Sequence, residues 1–170
     1  MSHLLGLKDA PIQLLGYMDF QCPHCARAAN VVRELQNTYG GQMSYVFRHF
    51  PLVEIHPLAR LCAQAAEAAD AQGEFWRMHD LIFQNQPHLS KKVLDQIADK
   101  IGLDSAEFKR GLANRRLEYR IDQDIKLGQR RDVQGTPTLF LNDELYPAEA
   151  DFEALSQAIE DELTSRSSAA

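Results

Sequence analysis

With 170 residues, 45% of them apolar and 25% charged, the chain has the size and composition of one globular domain, or of one domain carrying a large insertion. A formal net charge of −6 speaks against a phosphate-binding surface. The densest basic stretch, Arg115-Arg116 through Arg130-Arg131, is interleaved with Glu118, Asp122 and Asp124, which is a solvated helix face and not a nucleic-acid surface. Three cysteines are too few to staple a small secreted scaffold, and no apolar run approaches a membrane span, so a soluble chain without a spanning segment is expected.

The N-terminal residues Met1-Ser2-His3-Leu4-Leu5-Gly6 have neither a basic segment nor an apolar core of signal type. The expectation is a cytoplasmic location, with a periplasmic one as the alternative if a signal has been removed. Residues 11–20 then form an apolar run of strand length, read as a central strand buried on both faces. Cys22-Pro23 follows, and from Ala26 to about Tyr39 a helical pattern puts Ala29, Val32 and Leu35 on one face, with Pro23 suited to its first turn. Gly40-Gly41 stops the helix, and Met43 to Phe50 alternates as a second strand.

Helical signals dominate the next stretch: Pro57–Ala71, Glu74–Phe83, Ser90–Ile101 with a Ser cap, Asp104–Leu112 and Arg116–Arg131. Past Gly135-Thr136-Pro137 the period returns to that of strands, with Thr138–Leu141, a turn at Asn142-Asp143 and a short run through Tyr146. Asp151–Leu163 is a last amphipathic helix, with Phe152, Leu155, Ile159 and Leu163 on one stripe. Strand, helix, strand, helical block, strand pair and helix make an α/β fold with an all-helical insertion.

The chemistry centres on Cys22-Pro23-His24-Cys25. A cysteine where a strand gives way to a helix meets unpaired backbone N–H groups and the positive end of the helix dipole, which favour its thiolate. Cys25, one turn on, is close enough to close a disulfide and is expected to be the more buried. Cys22 can then attack or be attacked, and Cys25 resolves the mixed disulfide. His24 can place a hydrogen bond or positive charge near Cys22, stabilising the reduced form and making the disulfide a better oxidant. Pro23 stiffens the turn.

Two other readings of the motif stay open at this point. A CxxC is also half of a zinc site, with Cys62, His49, His56, His79 or His88 as candidate further ligands, and two cysteines can be plain core residues. Gly135-Thr136-Pro137-Thr138, leading into an apolar strand, favours the redox reading, because proline there serves a strand entrance. A Thr136-Pro137 loop set against the CxxC leaves backbone free to pair with a substrate peptide in strand fashion.

These segments resemble the DsbA family of thiol–disulfide oxidoreductases, in the branch found both as stand-alone proteins and as domains appended to sodium/proton antiporters. The matching stretches are Lys8-Asp9-Ala10-Pro11, Asp19-Phe20-Gln21-Cys22-Pro23-His24-Cys25, Phe47-Arg48-His49-Phe50-Pro51-Leu52, His56-Pro57, Gln72-Gly73-Glu74-Phe75-Trp76 through His79-Asp80, Gly102-Leu103-Asp104 and Val133-Gln134-Gly135-Thr136-Pro137-Thr138. They lie in collinear order over roughly residues 5–163.

The resemblance implies a thioredoxin-like domain of residues 1–51 and 133–164 and a helical insertion of 52–132; residues 165–170, polar and small, are expected to form a disordered tail. It implies Cys22 as nucleophile and Cys25 as resolving cysteine, with His24 as tuning residue. Pro23, Thr136 and Pro137 are then the substrate-binding positions. No metal and no cofactor are expected; the partners are protein or peptide thiols, and a redox protein that recycles the dithiol. The family has a glycine after the aromatic of the last hairpin, where this chain runs Leu145-Tyr146-Pro147-Ala148.

Other residues carry weaker signals. Asp19 is read first as a turn former, with a proton-accepting role for the cysteine pair as the alternative. His49 is read as structural; Cys62 is read as a small core residue, with a redox or regulatory role as the alternative; and Phe75, Trp76 and Phe83 are read as core, with a substrate-facing role for one of them as the alternative. The expected function is disulfide exchange in the oxidising direction by a monomer. The alternatives are a cytoplasmic reductase or detoxifying oxidoreductase with the same residues, and a zinc-bound interaction module built on Cys22 and Cys25.

Overall fold

The structure, a computed structural model, describes residues 3–147 and 149–168. Five strands, β1 (His3–Gly6), β2 (Ile12–Met18), β3 (Met43–His49), β4 (Thr138–Leu141) and β5 (Glu144–Leu145), form one sheet in the order β1-β3-β2-β4-β5. Among the described residues seven α-helices accompany them: α1 (Pro23–Tyr39), α2 (Ala59–Asp70), α3 (Phe75–Gln84), α4 (Lys91–Lys100), α5 (Ser105–Leu112), α6 (Arg115–Arg130) and α7 (Phe152–Ser168). β2 and β3 run parallel around α1, while β1 and β4 are antiparallel to their neighbours. The architecture is the mixed α/β, thioredoxin-like one expected, with α2–α6 lying in the chain between β3 and β4.

β2 is the central strand, as the apolar run predicts, and its period of two feeds two cores. Ile12, Leu14 and Met18 join Tyr45 and Phe47 of β3, Ala29, Val32 and Leu35 of α1, and Leu155 and Ile159 of α7 in the main core. Tyr17, with Leu15 beside it, packs the other way, with Phe50, Val133 and Phe140 and against Ile125 of α6. Gly16 is where the main core needs a missing side chain: a Cβ there would sit 2.7 Å from the Tyr45 hydroxyl.

Two expectations need correcting. β1 was not foreseen; it lies on the sheet edge and pairs with β3, so its cue is a partner some forty residues away and not a local pattern. Residues 165–168, expected in a disordered tail, continue α7 through Ser168; Ala169 and Ala170 lie outside the described residues. The last hairpin turns on Asn142 and Asp143, both at positive φ (47° and 69°), which is the tight turn that matches strand twist and suits Asn and Asp. The departure at 145–148 is described only as far as Pro147, where Tyr146 N–H donates to Leu139 O at 2.9 Å; Ala148 lies outside the described residues.

Candidate active site

β2 ends at Met18, and four residues later Cys22 is the N-cap of α1, in extended conformation with Pro23 opening the helix. No side chain caps this helix. Its first-turn N–H groups therefore remain free to face the Cys22 sulfur. Cys22 and Cys25 are both free and both buried, Cys25 completely and Cys22 to 5% exposure, which leaves Cys22 as the one nearer the surface.

The two thiols are driven apart in acidity. A hydrogen bond from Cys25 is the largest influence on Cys22 and outweighs burial; backbone N–H groups of Cys25 and His24 and the Thr136 side chain add to it, and the Cys22 pKa falls to about 5. Cys25 moves the opposite way, pushed well above the ordinary thiol range by burial first and then by Cys22. One thiol is thus an anion at neutral pH, and the other keeps its proton and donates to it.

Thr136 and Pro137 stand against this pair. When protonated, Cys22 Sγ donates to Thr136 O at 3.3 Å, and the Thr136–Pro137 peptide bond is cis. The Thr136 side chain faces both sulfurs and lowers both thiols. Beside it opens a groove of about 380 Å³ whose walls include His24, Arg27, Thr136, Pro137, Pro147 and Glu149. Pro23 and His24 are exposed at the mouth of the dithiol.

The structure places His24 differently from the sequence reading. Its ring turns along α1 to the next turn, where Nδ1 accepts from Arg27 Nη2 at 2.6 Å. What His24 gives Cys22 directly is its backbone N–H.

Asp19 is a buried hub. Its Oδ1 accepts from Gln21 N–H at 2.7 Å, its Oδ2 from Leu52 N–H at 2.8 Å and from His56 Nδ1 at 2.7 Å, while its own N–H donates to Cys25 Sγ at 3.4 Å. It ties the loop after β3 to the floor of the dithiol, which favours the turn-forming role. Gln86 was not singled out in the sequence. Its amide donates to Phe20 O at 2.7 Å and Cys22 O at 2.9 Å, holding the turn before α1 from outside. A glutamine after a helix carries no local sign of contacts 64 and 66 residues away.

Cys62 is completely buried and its thiol is pushed up to about 12, by burial first and then by the Asp19 charge. It is a core residue of α2. Among the described residues, none of Cys62, His49, His56, His79 and His88 joins Cys22 and Cys25 in a metal-ligating group. Phe75 and Phe83 are core as expected, and Trp76 is half-buried, donating from Nε1 to Leu4 O at 3.3 Å.

A thioredoxin family model matches residues 1–161. The chain is 42% identical over 158 residues to Na(+)/H(+) antiporter NhaA 3 of Salinispora tropica, a match covering 93% of this chain and 24% of that protein. It therefore spans about a quarter of the length of this relative. Among solved structures, BdbD from Bacillus subtilis superimposes with a TM-score of 0.84 at 24% identity, covering 96% of this chain and 93% of that one. The thiol-disulfide exchange protein alpha-DsbA2 from Wolbachia pipientis gives 0.83 at 22% identity, covering 94% and 86%. At such identities the likeness is one of fold.

Proposed function

Since the chain belongs to the thioredoxin family, and its paired cysteines carry the dithiol chemistry of an oxidoreductase, we propose that it oxidises protein or peptide thiols. The carrying observation is the inequality of the two thiols: Cys22 lowered to about 5 and Cys25 held well above its usual range. In the oxidised form a substrate thiolate attacks Cys22 Sγ, the Cys22–Cys25 bond breaks, and Cys25 leaves and takes up a proton. A second substrate thiolate then attacks the substrate sulfur of the mixed disulfide and expels Cys22 as the thiolate. The substrate loses two electrons and two protons; the enzyme disulfide gains the electrons, Cys25 takes one proton and the other passes to solvent. Expulsion of Cys22 is fast because a low-pKa thiolate is a good leaving group.

The same inequality supports the oxidising direction. A dithiol whose reduced form is stabilised has a disulfide that accepts electrons readily. The Thr136-Pro137 loop supports a peptide substrate, because it presents backbone beside the reacting sulfur and borders the groove walled by Arg27 and Glu149. A redox partner must return the dithiol to the disulfide. An oxidant of this kind works best where the thiol pool is not reducing, which supports the periplasmic alternative over the cytoplasmic location.

The test is the Cys22–Cys25 reduction potential in glutathione buffers, paired with oxidative refolding of a reduced substrate. The expected potential is less negative than that of glutathione, and Cys22→Ser abolishes refolding. A potential well below that of glutathione would make the protein a reductase. Stoichiometric zinc bound through Cys22 would remove the redox reading altogether.

A further inference from the structure

Away from the dithiol, three buried side chains from distant parts of the chain converge. His3 on β1, His49 at the end of β3 and Glu67 on α2 are 5%, 1% and 1% exposed. Their donor atoms all lie within 4.8 Å of one another. His3 Nε2 is 2.5 Å and His49 Nε2 is 3.1 Å from the same oxygen, Glu67 Oε1. We propose that His3, His49 and Glu67 form a binding site for a divalent transition-metal cation, one that takes two imidazoles and a carboxylate, with zinc as its probe.

The groups behind these donors are arranged as a metal site requires. His3 Nδ1 faces Asp70 Oδ1 at 3.5 Å, the carboxylate partner that orients a metal-bound imidazole. The Phe75 ring lies flat on His3, centroids 3.5 Å apart and planes 3° from parallel, so the ring cannot swing. Arg120 Nη1 pairs with Glu67 Oε2 at 2.8 Å and Arg120 Nη2 with Asp70 Oδ2 at 3.0 Å. Arg120 thereby takes the far oxygen of Glu67 and leaves Oε1 turned to the two histidines. With both imidazoles neutral, two carboxylates and one guanidinium sum to a single negative charge, which favours a cation in their midst.

A cleft of about 260 Å³, whose walls include His3, Asp70, Phe75 and Arg120, opens beside the His3 ring. Three protein donors leave the fourth position of a tetrahedral site for water. A cation there would clamp the edge strand β1 to β3 and to α2. It would also stiffen the chain just before Leu52, whose N–H reaches Asp19 under the dithiol. The site is separate from the redox pair, and its test does not depend on the redox reading.

Untagged full-length Cys22→Ser/Cys25→Ser protein, which lacks the competing thiolates, is titrated with zinc by calorimetry and with cobalt by absorption. The expected result is one equivalent of each, a cobalt spectrum without a thiolate charge-transfer band, and a higher Tm with zinc. His49→Gln and Glu67→Gln should each weaken zinc binding at least about a hundredfold, and Asp70→Asn about tenfold. No uptake, a thiolate band, or affinity unchanged in these variants would overturn the proposal and leave the cluster a plain buried ion pair. If the His49 and Glu67 variants fail to fold, His3→Gln on the edge strand takes their place. The cobalt spectrum of the unsubstituted cluster then decides whether imidazole is bound.

Discussion

At Cys22 the anion accepts from the Cys25 thiol, from two backbone N–H groups and from the Thr136 side chain, and only the first two sources survive a change of the loop. Because the Cys25 hydrogen bond is the largest of these, Cys25→Ala should raise the Cys22 pKa by more than about one unit, worth about 1.4 kcal/mol. His24→Ala keeps the backbone N–H and alters only the ring that faces Arg27. It should move the Cys22 pKa by less than Cys25→Ala does, and shift the reduction potential downward. Thiolate absorbance against pH reads both; a larger effect from His24→Ala would put the ring, and not Cys25, in charge of the anion.

Gln86 invites a second test at this scale. Gln86→Leu leaves Phe20 O without its donor, while Cys22 O keeps only the Ala26 N–H at 3.2 Å, at a cost of about 1–2 kcal/mol. Urea unfolding of the reduced protein should show the loss as a lower midpoint with an unchanged slope. An unchanged midpoint would mean that water replaces the amide and that the turn holds itself.

Among the elements, those with local signals were legible in the sequence. The Ser90 hydroxyl accepts from Val93 N–H and Asp104 from Glu107 N–H, so α4 and α5 start where their caps say. Pro23 marks the first turn of α1, and Asn142-Asp143 marks the hairpin. The CxxC and Thr136-Pro137 were each visible as motifs, and the fold supplies the 3.3 Å contact between them. β1 was not legible because an edge strand of four residues is defined by its register with β3. The hub at Asp19 and the reach of Gln86 were hidden for the same reason, since their partners are set by tertiary packing.

The alanines of α2 have a consequence that can be measured. Ala63, Ala65, Ala66, Ala68 and Ala69 are all buried, and small side chains let neighbouring helices come close. At Gly111 on α5 a Cβ would lie 2.6 Å from the Ala68 Cβ and 3.2 Å from its Cα. Neither atom can move without moving α2. Gly111→Ala, which in an exposed helix would stabilise by about 1 kcal/mol, should here lower the Tm by several degrees. A raised Tm would show that α5 can slide outward at little cost.

For the whole molecule the two thiols link redox state to stability. Cys22 ionises at about 5 in the folded chain against an ordinary value of 9.0, so folding of the reduced protein gains from its anion. A depressed acid contributes fully above its unfolded pKa and loses that contribution as pH falls through its folded one. At pH 7 the gain spans the interval from 5 to 7, about 2–3 kcal/mol. Cys25 adds nothing there, because its pKa is raised and its thiol is neutral in both states; above pH 9 it begins to oppose folding. The disulfide form has no such anion. The reduced protein should therefore melt above the oxidised one at pH 7, and the gap should narrow as pH falls from 7 to 5 and be gone below that. Calorimetry of both forms across that range decides it, because the disulfide also constrains the unfolded chain and pulls the other way. The loop it closes holds only two intervening residues, so that pull is weak. If the oxidised form melts higher at pH 7, the anion is not stabilised to this degree and the oxidising direction loses its physical basis.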